Sequence, residues 1–262
     1  MLLDGKVVIV SGAGPGLGQA LIVLAAREGA RVAISARTPG KLDAAEREIR
    51  ELGLDAEVLK QPTDIRDAAQ CEALAAATLE RFGRIDGLIN SAYVSPPATP
   101  IESANFDDWR NTIDTNLFGT LNMCRAVLPA MKAQQRGAIV NISTMATRKP
   151  FEGLGGYTAS KAALNALTRL MAKEWGGYGI RVNTVVMGWM WGATVQSRMQ
   201  GRSDAGGLSV EEQIANVSAG IPLPGIPTDR QCAGAAMVVL SDHCSQVTGA
   251  TLDCTGGEFM PL

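Results

Sequence analysis

Between Lys6 and Ser35 the chain runs strand, glycine-rich turn, helix and second strand, an order that few folds accommodate. Lys6 to Val10 is a short β-branched run of the kind buried in a sheet. It ends in Ser11-Gly12-Ala13-Gly14-Pro15-Gly16-Leu17-Gly18. An amphipathic helix follows, with Leu21, Leu24 and Ala25 turned inward, and stops at Gly29; Arg31 to Ser35 is the second strand. This is a βαβ unit with the look of a mononucleotide-binding half. Its glycines follow G-x-x-x-G-x-G, with Gly12, Gly16 and Gly18, and not G-x-G-x-x-G. The physical logic is shared: no side chain blocks a diphosphate, and the helix N-terminus offers unpaired N–H groups to an anion. A tight structural turn is the plainer alternative.

The alternation continues along the chain. Helices are predicted over Gly40 to Leu52, Asp67 to Phe82, Phe106 to Met131, Tyr157 to Trp175 and Asp229 to Leu240. Strands are predicted over Glu57 to Lys60, Gly87 to Asn90, Ala138 to Ile142, Ile180 to Val186 and Thr251 to Asp253. Strict alternation argues an α/β fold, a doubly wound parallel sheet with helices on both faces, as one domain over residues 1–262. Residues 188–227 break the pattern with Gly, Pro, Met and Trp, and are expected to be an irregular lid or substrate loop.

Composition excludes several functions. A net charge of −2 without a basic block argues against nucleic-acid binding. No apolar run is long enough for a membrane helix, and the start MLLDGKVVIV is too short in apolar residues for a signal peptide. Five scattered cysteines, none in C-x-x-C spacing, read as reduced thiols of a cytoplasmic protein. One histidine, His243, excludes a multi-histidine metal site and argues against a Ser-His-Asp hydrolase; it reads as a cap or surface residue, and no metal is expected.

The chemistry is expected at Gly155-Gly156-Tyr157-Thr158-Ala159-Ser160-Lys161. Tyr157 and Lys161 are four apart and share a helix face, though any Tyr and Lys can fall so. An ammonium about 4 Å from a phenol favours the phenolate by up to ~4 kcal/mol at an effective dielectric of ~20. That would bring the phenol from about 10 to about 7, the range of a useful acid or base. The second strand ends Ile34-Ser35-Ala36-Arg37-Thr38, without the acid that takes a ribose diol in NAD-binding folds. Arg37 is a fork of donors suited to the 2′-phosphate of NADP; a solvated arginine is the alternative. NADP(H) is favoured and NAD(H) stays possible.

Taken together, these elements resemble the short-chain dehydrogenase/reductase family over nearly the full length. The glycine turn, Asn90, Asn116 in Asp114-Thr115-Asn116-Leu117, the Ile139-Val140-Asn141-Ile142-Ser143 strand, Tyr157-x-x-x-Lys161 and Arg181-Val182-Asn183 stand in the family order. The resemblance implies a Rossmann-type sheet of about seven strands and hydride transfer between a nicotinamide and a ketone or secondary alcohol. It assigns Tyr157 as general acid, Lys161 to the nicotinamide ribose and the phenol, and Asn116 to a water that relays protons to Lys161. The family's serine falls at Thr144, with Ser143 beside it; neighbouring strand residues face opposite ways, so one of them points into the site, and Thr144 is preferred. Gly12, Gly16, Leu17, Gly18, Arg37, Asp64, Asn90, Ala92, Gly188 and Thr194 would line the cofactor, with Asp64 equally readable as a turn or helix cap.

Four departures from the family pattern stand out. Asn90-Ser91-Ala92-Tyr93 replaces Asn-Asn-Ala-Gly, and Met187-Gly188 replaces Pro-Gly. The threonine expected shortly after that glycine is absent at the common spacing, leaving Thr194 as the nearest. Thr255-Gly256-Gly257 replaces Asp-Gly-Gly. Tyr93, Val94, Met145, Phe151, Met187, Trp189, Met190 and Trp191 fall in loops at the carboxyl ends of strands and would wall a hydrophobic substrate pocket, with Arg148 and Lys149 solvated. The tryptophans packing the lid or a subunit contact is the alternative. A small-molecule carbonyl or alcohol is the expected partner. The resemblance also implies a homotetramer or homodimer through the long helices. A non-catalytic dinucleotide sensor on the same fold is the competing class, and the intact Tyr157, Lys161 and Asn116 argue against it.

Overall fold

In the computed structural model, which describes residues 1–260, seven strands form one parallel sheet in the order β3-β2-β1-β4-β5-β6-β7. They are β1 Val7–Ser11, β2 Arg31–Ala36, β3 Val58–Pro62, β4 Gly87–Asn90, β5 Gly137–Thr144, β6 Ile180–Met187 and β7 Thr251–Cys254. The helices are α1 Leu17–Arg27, α2 Pro39–Glu51, α3 Ala68–Phe82, α4 Phe106–Ile113, α5 Thr120–Gln134, α6 Gly155–Trp175, α7 Ala193–Asp204, α8 Val210–Ser218 and α9 Asp229–Leu240.

Strand residues alternate between two cores because side chains on a pleated strand point to opposite faces. Val8, Val10, Val32, Ile34, Ile89 and Val140 pack with α1, α2 and α9. Val7, Ile9, Leu88, Ile139 and Val182 pack with α3, α5 and the end of α6 on the other face. Burial on both faces explains why β1 reads Val-Val-Ile-Val without a polar break.

From β1 the chain winds outward through β2 and β3, then returns to β4 on the other side of β1. The reversal opens a crevice over the carboxyl ends of β1 and β4, where Ser11 and Asn90 pair in register. Such a switch point is where open α/β sheets bind ligands. Two features differ from expectation. Residues 188–227 are not irregular: α7 and α8 lie within them, α8 opened by a Ser209/Glu212 capping box. The helix predicted from Phe106 onward is interrupted by a π-helical turn at Asp114–Gly119, which holds Asn116.

Candidate active site

The glycine turn is built from close backbone contacts. Gly12 and Gly16 have φ of 102° and 92°, a region that L side chains rarely enter. A Cβ at Gly12 would run into the backbone nitrogen of Ala92, and one at Gly18 into the Gly12 carbonyl. The turn is thus pressed against the loop after β4. Gly16 is the N-cap of α1 and supplies no side-chain cap, which leaves the Leu17 and Gly18 N–H groups for an outside acceptor, while Gln19 N–H donates to the Gly14 carbonyl at 3.0 Å. An anion fits this cradle.

At the adenosine side, Arg37 stands exposed just beyond β2. Asp64, past the end of β3, is held below the usual carboxylate range first by its bidentate pair with Arg66, at 3.0 and 2.5 Å, and further by Arg37. Asp64 is therefore occupied by Arg66 and also caps the Arg66 backbone N–H at 3.0 Å. Asn90 is buried, with Nδ2 donating to Asn141 Oδ1 at 2.9 Å and to Cys124 Sγ at 3.3 Å. Asn141 in turn donates to Thr168 of α6 at 2.9 Å, tying β4 and β5 to that helix.

The N-terminal glycines of α6 admit a neighbour. A Cβ on Gly155 or Gly156 would meet the Trp109 ring of α4 at 2.5 or 2.7 Å. Trp109 thus buttresses the turn that carries Tyr157. Thr144, the last residue of β5, lies near enough to the Tyr157 phenol to favour its ionised form, while Ser143 is buried with no partner for its hydroxyl. Thr144 Oγ1 accepts from the Ala146 N–H at 3.2 Å, which leaves its own hydrogen to donate elsewhere.

The electrostatics depart from the sequence expectation. Desolvation by burial is the largest influence on the Tyr157 phenol and raises it above its ordinary range; Tyr93 adds to this, and Thr144 and Arg198 oppose it. Lys161 does not lower it as expected, because its Nζ donates to the Ile142 carbonyl at 2.8 Å. Lys161 is itself buried and drawn down to about 8 by desolvation. Asn116 holds Val94 at both ends, accepting its N–H at 2.8 Å and donating to its carbonyl at 2.9 Å, and also donates to Ser160 Oγ at 3.0 Å. It couples the loop after β4 to α6 between Tyr157 and Lys161.

The expected pocket wall is only partly gathered. The Tyr93 ring lies 5.9 Å from the Tyr157 ring, tilted by 54°, and remains half-exposed. Phe151 meets Trp189 edge-on at 6.2 Å. Val94 and Trp191 are half-buried nearby in sequence, and Trp191 N–H donates to Pro227 at 2.7 Å. Met145 and Met187 are buried instead, Met187 inside the core that α9 covers, so neither lines an open wall; Met190 packs against that same core. Arg148 and Lys149 are not simply solvated: they pair with Asp253 and Glu258, each at 2.8 Å. Gly188 packs on Thr255 and donates to Cys254, and Thr194 is exposed on the first turn of α7. Sequence reasoning missed Trp109 and Ser160; the Gly-Gly pair before Tyr157 was the one signal for a close neighbour there. Among the described residues no metal-binding cluster occurs and no helix is long and apolar enough to cross a membrane.

A parallel sheet with a glycine cradle at its switch point and a Tyr-Lys pair on the adjoining helix defines a dinucleotide-dependent oxidoreductase class. The chain belongs to the short-chain dehydrogenase family, whose model matches residues 6–203. It is 32% identical to levodione reductase of Leifsonia aquatica, over 97% of this chain and 94% of that protein. It is 35% identical to D-threitol dehydrogenase of Mycolicibacterium smegmatis, over 97% and 93%. Among solved structures it is similar to an actinorhodin polyketide ketoreductase crystallised with NADPH, at a TM-score of 0.89, 29% identity and 97% coverage of both chains.

Proposed function

We propose that this protein is an NADP(H)-dependent reductase of hydrophobic ketones, running in reverse on the matching secondary alcohols. The carrying observation is buried Lys161, donating to the Ile142 carbonyl near the end of β5, one helical turn from Tyr157 on α6. When bound, the nicotinamide supplies the hydride. Gly12, Gly16, Leu17 and Gly18 cradle the diphosphate against the N-terminus of α1. Ala92, Asn90, Gly188 and Thr194 complete that cleft in this reading, and Asp64 flanks the adenosine. Arg37, beside Ala36 and free of ion pairs among the described residues, takes the 2′-phosphate.

Thr144, its oxygen already accepting from Ala146, donates its hydrogen to the substrate carbonyl. Tyr157 stays protonated in its buried setting and gives its proton to the same oxygen as negative charge develops there. Lys161, buried one helical turn along α6, is the group that would hold the nicotinamide ribose. Asn116 positions the loop that carries Val94 and steadies Ser160, and Tyr93, Phe151, Trp189 and Trp191 exclude water around an apolar substrate. The active unit is a homotetramer in the cytoplasm, on the family resemblance, the exposed apolar helix faces and the free cysteines.

Calorimetric titration with NADPH and NADH, followed by a screen of apolar ketones, tests this reading. NADPH should bind more tightly, and Tyr157→Phe should lose turnover by ~100-fold or more while still binding NADPH. Preference for NADH would remove Arg37 from the site, and undiminished turnover in Tyr157→Phe would remove Tyr157.

A further inference from the structure

Three helices begin at one place beside the cofactor crevice. Gly16 is the N-cap of α1, Gly192 is the N-cap of α7, and Asp229 is the first residue of α9. Neither glycine supplies a side-chain cap. The Asp229 carboxylate fills the space that Gly192 leaves and reaches the side of Gly16. A Cβ on Gly192 would overlap its Oδ2, and a Cβ on Gly16 would stand 3.2 Å from the same oxygen. The backbone that carries it is fixed by the Thr228/Gln231 capping box, and the lid is tied alongside by the bond from Trp191 to Pro227.

Among the described residues this carboxylate forms no ion pair. Its neighbour Arg230 pairs with Glu48 of α2 at 2.9 Å, and no charged group offsets the burial that raises Asp229. A carboxylate accepts hydrogen bonds and repels phosphates. What it holds must therefore be a neutral N–H or O–H donor. A nicotinamide dinucleotide offers few of these. In the dinucleotide reading given above, Arg37 and Asp64 past β2 and β3 would hold its adenosine end, and Tyr157 and Lys161 would face its nicotinamide. The group that would then reach the lid side of the glycine cradle is the carboxamide, with two N–H donors.

We propose that Asp229 is a cofactor-binding residue, its Oδ2 accepting a hydrogen bond from the nicotinamide carboxamide at the seam between the glycine turn and the lid. The assignment rests on the dinucleotide reading given above. It also gives position 192, whose backbone is ordinary, a reason to lack a side chain: it makes room for the carboxylate. The lid then closes over a cofactor whose redox end is held from α9 and not from the lid itself.

The test is calorimetry on the intact protein with two probes, NADPH and 2′-phospho-ADP-ribose, which ends at the ribose and has no carboxamide. Asp229→Ala should weaken NADPH by about tenfold or more, the measure of a hydrogen bond to a charged group, and leave 2′-phospho-ADP-ribose unchanged. Asp229→Asn, which keeps an acceptor oxygen, should recover most of the loss. An equal loss for both probes, no loss at all, or tighter binding of both in Asp229→Ala would overturn the assignment while leaving the cofactor reading intact. Wild-type protein that binds neither probe would overturn the cofactor reading and this assignment with it.

Discussion

Burial draws the Lys161 ammonium from an ordinary 10.5 to about 8, so the charged form carries a penalty of about 3 kcal/mol at neutral pH. Between pH 8 and 10.5 the unfolded chain holds a proton that the folded one has lost, so this residue makes stability rise with pH across that window. Below pH 8 the full penalty applies. Lys161→Met should therefore raise the melting temperature at pH 7 while abolishing turnover, and the gain should vanish by pH 10.5; thermal melts at both pH values check it. The same titration sets a limit on catalysis. Desolvation favours the neutral, proton-donating Tyr157 phenol, while Lys161, which would hold the nicotinamide ribose, loses its charge near pH 8. In the reduction direction kcat/KM should fall as pH rises through about 8, read from a pH–rate profile. The Tyr-Lys pair itself was legible from a spacing of four on an apolar helix. The direction of the phenol's shift was not, because it depends on burial and on Lys161 turning to the Ile142 carbonyl, and spacing reports neither.

At the scale of elements, the glycine turn separates glycines that are needed from those that are not. Gly12 combines a φ of 102° with a Cβ position blocked by the Ala92 backbone. Gly14 has ordinary φ and open space around it. Gly12→Ala should lower the melting temperature and abolish dinucleotide binding, whereas Gly14→Ala should leave stability unchanged or raise it by a few tenths of a kcal/mol through the unfolded chain. Thermal melts with and without NADPH decide it; equal behaviour of the two variants would mean the turn is held by something other than this backbone contact. The turn was readable because glycine spacing encodes close approach directly. The lid was not: α7 has no side-chain N-cap and its sequence Ala-Thr-Val-Gln-Ser-Arg carries few buried positions, so it lacks the apolar stripe that marks a helix. Met145 and Met187 were misplaced for a related reason. Adjacency to strand ends groups them, but Met145 is buried in the short 3-10 turn after β5 and Met187 joins the core with Ile142 and Val185.

The order of the whole sheet was readable because each helix returns the chain to a parallel neighbour, and a buried strand announces itself by an unbroken apolar run. What lies outside the folded chain has to be argued from its surface. Phe118, on the π turn, is 54% exposed and Leu170, on the adjoining α6, is 49% exposed, both on elements packed against each other. A second apolar strip runs over Val238 of α9, Val247 and Leu252 of β7, and β7 is an edge strand with unpaired backbone groups. If each strip meets its own copy about a two-fold axis, the two contacts would generate a closed tetramer of dihedral symmetry, the assembly proposed above. Sedimentation should find a tetramer for the wild type. Phe118→Asp with Leu170→Asp should break one face and leave dimers held through the β7 edge, and Val238→Asp with Leu252→Asp should leave dimers of the other kind. Combining all four should give monomers with an intact far-ultraviolet spectrum. A wild-type monomer would sink the tetramer, and a full tetramer after either double substitution would show that the face concerned is solvated and that the contact lies elsewhere.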